Sequence, residues 1–228
     1  MSGVIASRDD VMRRVADIRR LIVDIRGDAR AARIVAVTKT FGVESYTLAA
    51  EAGCDAVGEN YAQEILDKIT RLGSAPVLPV HFIGHLQSNK VKALAPHIDL
   101  WHTVDRVSLV GALSKESERI GRPARVLVQV NSTGEPQKSG CVPAEVVDIV
   151  GAARAAGLVV EGLMTMGPSD GDPIATRAAF RLTARLAHDL GMSELSMGMT
   201  HDFRIALEEG STIVRIGSGI FGERPRSA

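Results

Sequence analysis

Lys39, Arg215 and the turn Gly217–Ser218–Gly219 are the residues whose types and places could do chemistry. Lys39 directly follows the apolar run Ile34–Val37, so its stem leaves a packed strand and its amine arrives at the strand end. Partial loss of water shifts a lysine toward its neutral, nucleophilic form, and such an amine condenses with aldehydes. Taken alone, a strand-end lysine that snorkels into water is the simpler reading. The turn lies in GSTIVRIGSGIFG, residues 210–222, just after the last apolar run. Glycine lets backbone N–H groups approach an anion such as a phosphate closely, although glycines that only serve tight turns would look the same. Ser196 and Thr200, within Ser196–Met197–Gly198–Met199–Thr200, could add hydroxyl donors. Arg215 sits one strand residue before the turn. Pointing inward, it brings a guanidinium that donates hydrogen bonds and does not ionise; pointing outward, it pairs with a helix carboxylate.

The elements that must position these groups follow a rhythm. An amphipathic helix opens the chain at about 8–26, with Val11, Val15, Ile18, Ile22 and Ile25 on one face, Ser7 as N-cap and Gly27 as stop. Eight short apolar runs follow: Arg33–Val37, Ala56–Gly58, Val80–Ile83, Leu100–Val104, Arg125–Val130, Leu158–Leu163, Glu194–Ser196 and Thr212–Ile216. Helical stretches separate them, at about 43–52, 60–72, 88–95, 106–120, 143–156, 174–190 and 199–209. Strict βα alternation implies parallel strands joined by right-handed crossovers. Eight units suit a closed (β/α)8 TIM-type barrel with an extra N-terminal helix, with an open doubly wound sheet as the alternative. No composition shift divides the chain, so residues 1–228 are expected to form a single domain. In such a barrel the loops after the strands carry the function, and those after strands seven and eight are the usual place for phosphate. Polar groups do collect at those positions: Lys39, Asn60, His81, His102, Asn131, Thr165, Ser196 and Ser218.

Composition excludes several classes of partner. Lys+Arg and Asp+Glu both total 27, so no net charge draws the chain to nucleic acid or an anionic membrane. The first twenty residues are charged throughout and lack the apolar stretch of a signal peptide, and no run is long and apolar enough to span a bilayer. Cys54 and Cys141 have no metal-type spacing and read as reduced thiols of a cytoplasmic protein.

The chain resembles the pyridoxal phosphate homeostasis protein family, related to the N-terminal barrel of alanine racemase. The resemblance is carried by VAVTKT (35–40), GENYAQE (58–64), HFIGHLQSNK (81–90), WHTVDR (101–106), VNSTGEPQKSG (130–140), GLMTM (162–166), SMGMTHD (196–202) and VRIGSGIFGE (214–223). These run in order from the first strand almost to the C-terminus. The resemblance implies a fold-type-III-like barrel that holds pyridoxal 5′-phosphate as a Schiff base on Lys39. It implies that Arg215 faces the pyridine nitrogen and that Gly217, Ser218, Ser196 and Thr200 meet the phosphate. Asn60, His81 and Met164 are implied to shape the pocket wall. Three positions depart from the family pattern: Thr200 stands where serine is common, Val80 replaces a frequent tryptophan, and His201 precedes Asp202 without an assigned role.

The expected role is cofactor homeostasis, sequestering or delivering pyridoxal phosphate without robust catalysis. Strong carbanion chemistry needs a protonated ring nitrogen, which an arginine there disfavours, although the related racemases also use arginine, so it does not exclude racemisation. A two-base racemase also needs an acid or base on each face of the substrate, and in the related racemases one comes from a further domain and a partner subunit. This chain ends at Ala228, and an open barrel mouth suits transfer of a reactive aldehyde better than water-excluded chemistry. Apo forms of pyridoxal-dependent enzymes are the possible partners, with a monomer expected. The rivals are a slow racemase or lyase using Tyr61, His81 or His102 as base, and an aldolase with its own Schiff-base lysine. Gln87–Lys90 and Lys138 form a basic loop group that reads as ordinary solvated charge, with attraction of the phosphate or contact with a client apo-enzyme as the alternative.

Overall fold

The computed structural model describes residues 6–223. The expected single domain over 1–228 thus reaches at both ends into positions outside the described residues, as does the start of the signal-peptide reading. In α1 (Arg8–Arg26) Ser7 caps the N-terminus by accepting from the Asp10 N–H, Asp9 and Asp10 occupy the first turn, Arg26 occupies the last, and Gly27 ends the helix. Acidic residues at the start and a basic one at the end both favour the helix dipole. Val11, Val15, Ile18 and Ile22 are buried, as their spacing predicts.

Eight strands follow: β1 (Arg33–Val37), β2 (Ala56–Glu59), β3 (Val80–Phe82), β4 (Leu100–Val104), β5 (Arg125–Gln129), β6 (Val159–Met164), β7 (Glu194–Ser196) and β8 (Ile213–Ile216). All pair in parallel in chain order, and β8 returns to pair with β1, Val35 opposite Arg215 and Ala36 opposite Ile216. That last pairing closes the barrel and removes the open sheet as an alternative. The helices between them are α2 (Glu44–Glu51), α3 (Ala62–Leu72), α4 (Val91–Leu94), α5 (Val107–Ile120), α6 (Val146–Ala155), α7 (Pro173–Asp189) and α8 (Phe203–Glu208), and α9 (Ser218–Phe221) follows β8. The region 88–95 divides into a 3-10 turn and the short α4, and α8 begins later than the sequence suggests, after a turn at 199–202. Because α9 is a single turn, it cannot cover the sheet beside β8. The N-terminal α1 fills that place, packing against α8, α9 and α2.

Alternation along each strand sorts side chains into two cores. Ile34, Ala36, Val57, Phe82, Trp101, Val128, Leu163, Leu195 and Val214 pack outward under the helices. Val35, Ala56, Leu100, Leu127, Met164 and Ile213 pack together inside the barrel. Both faces are buried, which is why these strands read as continuous apolar runs. Parity with the inner set turns His81, His102, Gln129, Ser196 and Arg215 into the barrel as well. Ion pairs Arg33–Glu194 and Arg125–Glu161 join the strands at the N-terminal end of the barrel. Among the described residues no helix is long and apolar enough to cross a membrane.

One ionic device supports the end of β1. Lys68, on the buried face of α3, donates to Glu59 Oε1 at 2.6 Å and to the Thr38 carbonyl at 2.7 Å. Thr38 Oγ1 donates to the same carboxylate at 2.7 Å. The lysine is 4% exposed and the glutamate 0%. Breaking such a pair strands a charge in the interior and costs about 3–5 kcal/mol, whereas removing both partners costs much less. Lys68→Met is therefore expected to lower stability by about that amount in urea denaturation, and Glu59→Gln combined with Lys68→Met to recover most of it. A Lys68→Met protein as stable as the parent would mean that Glu59 is not left as an uncompensated buried charge.

Candidate functional site

At the C-terminal end of the barrel, Lys39, Asn60, Met164, Thr200, Arg215, Gly217 and Ser218 line one cavity of about 230 Å³. Seven of the nine residues expected at the site therefore meet. The remaining wall is Val37, Ile83, Met166, Met199 and His201. A largely apolar cavity with a few polar groups on its wall suits a flat, substituted ring better than a sugar or a dinucleotide.

Lys39 occupies the turn between β1 and α2, half-buried at the cavity. Its neighbours are pinned on both sides. Thr38 is held by Glu59 and Lys68 as described, and the Thr40 N–H donates to Glu64 Oε2 at 2.9 Å. Thr40 takes φ 69°, a left-handed conformation uncommon for a β-branched residue. Asn60 is set by close approach: a Cβ on Gly84 would fall 2.1 Å from the Asn60 carbonyl oxygen, so only glycine lets the chain after β3 pass there. Asn60 Oδ1 is buried and has no hydrogen-bond partner. Buried polar atoms normally find one, so a group entering the cavity would satisfy it.

Beside the end of β1, Thr200 and the turn after β8 form a cluster of donors. Gly219 N–H donates to Thr200 Oγ1 at 3.2 Å, and Ser218 Oγ lies 3.3 Å from the same oxygen. A Cβ on Gly219 would meet Ile216 at 2.8 Å and Thr200 at 3.2 Å, so glycine is what allows this packing. With Thr200 accepting both, its hydroxyl proton is available to a further acceptor. The start of a short extra helix after β8 is the usual phosphate position of this barrel.

Arg215 is fully buried yet lines the cavity. Its guanidinium donates to Ser196 Oγ at 2.6 Å and to the Thr165 carbonyl at 2.9 Å, neither of them a carboxylate. Burial pushes its pKa down to about 10, partly offset by Asp202, so it stays charged at neutral pH. Five donors and two such bonds leave it able to serve an acceptor in the cavity.

Two expectations are revised by this geometry. Ser196 does not line the cavity: its buried hydroxyl is taken by Arg215 and by His102 Nδ1, at 2.9 Å. His81 also stands behind the wall, its Nδ1 3.0 Å from His102 Nε2. Both are inner-face residues that lie below the mouth: Ser196 is the last residue of β7, and His81 stands two residues before Ile83. Ile83 takes the wall position expected of His81. None of the bases considered for a racemase lines the cavity: His81 and His102 are buried, and Tyr61 is 53% exposed at the start of α3. Residues missed from sequence are Lys68, whose signal was a charge on the apolar stripe of α3, and Met166 and Met199, while the sequence leaves one more residue, His201, without a role. The last lines the mouth while remaining exposed. No group of metal-ligating side chains occurs among the described residues.

Residues 14–225 match the family model described as alanine racemase, N-terminal domain. A pyridoxal phosphate homeostasis protein of Vibrio cholerae is 42% identical over 211 residues, covering 88% of this chain and 89% of that one. PipY of Synechococcus elongatus, solved without PLP, superimposes with a TM-score of 0.84 at 30% identity, covering 93% of this chain and 100% of that one. The same protein with PLP bound gives 0.82 at 28% identity and the same coverage. Alanine racemase of Clostridium difficile shares the fold at 14% identity, with a TM-score of 0.75 over 96% of this chain and 58% of the racemase.

The buried histidines make stability sensitive to acid. Burial lowers His81 to about 3 and His102 well below the ordinary 6.5, with Arg33, Arg125 and Arg215 adding positive charge nearby. Folding favours the neutral rings, so their contribution is complete above pH 6.5 and is lost as pH falls below it. Unfolding free energy should drop by about 2 kcal/mol per histidine between pH 6.5 and 5, and His81→Gln should make the slope shallower. Urea titrations at a series of pH values check both; a flat profile over that window would contradict the buried, neutral pair.

Proposed function

We propose a cofactor-holding role for this chain, which belongs to the pyridoxal phosphate homeostasis proteins built on the alanine racemase N-terminal domain. It binds pyridoxal 5′-phosphate and serves its homeostasis, sequestering or delivering the cofactor. The observation that carries this reading is the single cavity in which an amine, a guanidinium without a carboxylate and a hydroxyl-rich glycine turn meet across an apolar slot. The PLP-bound form of PipY, a close structural neighbour, supports it.

Bound there, the cofactor supplies an aldehyde carbon that an amine attacks reversibly with loss of water. Lys39 provides that amine, at a turn immobilised through Thr38 and Thr40. Thr200, Ser218 and Gly217 hold the phosphate. Asn60 Oδ1 gains a partner, and Val37, Ile83, Met164 and Met166 flank the ring. Arg215 donates to the ring nitrogen and, being charged at neutral pH, cannot hand over its proton there. Ser196 and His81 act behind this shell, not on the ligand.

The reading is of a carrier without robust catalysis. It is supported by the lack of a second acid or base inside the cavity: besides Lys39 and Arg215, the titratable side chain on its wall is His201, at the solvent edge. Delivery to apo-enzymes by a monomer belongs to the same reading, supported by a mouth where Met199 and His201 touch water and the cavity together. A cytoplasmic location is supported by two buried free thiols, Cys54 and Cys141.

Purified protein given pyridoxal phosphate should turn yellow, and borohydride reduction followed by peptide mapping should place the label on Lys39. Lys39→Ala should lose both colour and label. Lysine-dependent turnover of amino acids at ordinary enzymatic rates would instead establish the racemase or lyase, and a colourless protein that consumes a sugar phosphate would establish an aldolase. The phosphate assignment has its own check. Losing hydrogen bonds to a charged group, as in Thr200→Val with Ser218→Ala, should weaken pyridoxal phosphate binding about 10- to 100-fold while leaving unphosphorylated pyridoxal unchanged.

A further inference from the structure

Arg215, Ser196, His102 and His81 form an unbroken chain inside the barrel. The links are 2.6 Å from Arg215 Nη1 to Ser196 Oγ, 2.9 Å from Ser196 Oγ to His102 Nδ1, and 3.0 Å from His102 Nε2 to His81 Nδ1. The imidazole rings lie 5.0 Å apart, tilted by 44°. Ser196 and His102 are wholly buried and His81 nearly so, leaving little water to supply alternative partners.

We propose that His102 and His81 are positioning residues for Arg215, acting through Ser196, and that the donor-only guanidinium locks both rings as Nε2–H tautomers. A guanidinium has no acceptor, so the first bond must run from Arg215 to the serine oxygen. Ser196 has one proton and one other partner, so its hydroxyl donates to His102 Nδ1. His102 then carries its proton on Nε2 and donates to His81 Nδ1, which leaves the proton of His81 on Nε2. The opposite direction, with His102 Nδ1 donating to the serine, strands the Ser196 proton in the interior without an acceptor, and buried donors are rarely left so. Protonating either ring would place a second cation on a chain that already ends in one.

The consequence is an oriented row of dipoles whose acceptor ends all face Arg215. It does the work a carboxylate would do in holding the guanidinium, but adds no negative charge. Arg215 therefore presents an undiminished cationic donor to the cavity. A carboxylate in that place would draw the guanidinium aside and neutralise its field at the ligand. This explains why two buried histidines stand directly behind a site that neither of them lines. The inference deepens the proposed cofactor role and rests on it only for what Arg215 meets in the cavity.

The tautomers can be read on the cofactor-free full-length chain by long-range 1H–15N correlation of histidine rings at neutral pH. Both His102 and His81 are expected to show a protonated Nε2 and a bare Nδ1. Ser196→Ala should remove this single state at His102, producing a mixture or the other tautomer, and Ser196→Thr should restore it. With pyridoxal phosphate added, Ser196→Ala and His102→Asn should shift the visible absorption maximum while borohydride still labels Lys39. A protonated Nδ1 on His102 of the parent protein overturns the proposal whether or not any variant folds. So does a Ser196→Ala spectrum indistinguishable from the parent's. Absence of Lys39 labelling alongside the expected tautomers would instead strike only the cofactor reading.

Discussion

The pairing of β8 with β1 is the contact on which the site depends. With Val35 opposite Arg215, the residues that leave the two strands at the same end are Lys39 on one side and Gly217–Ser218 on the other. Groups about 180 places apart in the chain become neighbours through one parallel ladder. Nothing local brings them together, since parallel closure needs the whole ring of crossovers before its last pair can form. The N-terminal helix belongs to the same constraint. The turn after β8 is occupied by a single helical turn at the cavity, so a helix from the other end of the chain must cover the sheet there.

Around this frame the barrel spends buried charge in two different ways. Lys68 neutralises Glu59 outside the sheet through Oε1, and their hydrogen bonds to Thr38 stiffen the turn that carries Lys39. Tyr46 shares that pocket, its phenol pushed up by burial and by the Glu59 carboxylate, so it stays protonated beside the pair. Arg215 has no such opposite charge in contact. Its burial is tolerable because neutral acceptors surround it and because the cavity side is open to a ligand. Preorganised donors of this kind act without rearrangement when a ligand arrives.

The proposed carrier role, holding a reactive aldehyde and not transforming an amino acid, draws on the same arrangement. Chemistry at an α-carbon needs acids or bases on both faces of a bound substrate. The inner-face histidines are committed to each other and to Ser196, and their burial keeps them neutral. The mouth stays half open, with His201 and Met199 in contact with solvent. A cavity open to solvent in this way fits the carrier role proposed above.

Much of this was legible from residues alone, because the signals were local. β-branched runs spaced by amphipathic segments implied the eight βα units, Ser7 and Gly27 bounded the first helix, and the motifs around Lys39 and Gly217 carried the family resemblance. At 88–95, 143–156 and 199–209 the helices are shorter than their patterns predict, since turns at their starts satisfy the backbone without a full helix. Barrel closure could only be favoured, because periodicity describes each strand and not its partner. The inward direction of Arg215 followed once Ile213 was seen in the inner core, a matter of strand parity against neighbours that the chain does not name. Ser196 and His81 looked like site residues because they lie near strand ends. Tertiary structure sets them in the layer behind the cavity wall: on the third strand that layer is two residues deep, from His81 to Ile83, and its height is set by the stagger of eight strands around a closed ring.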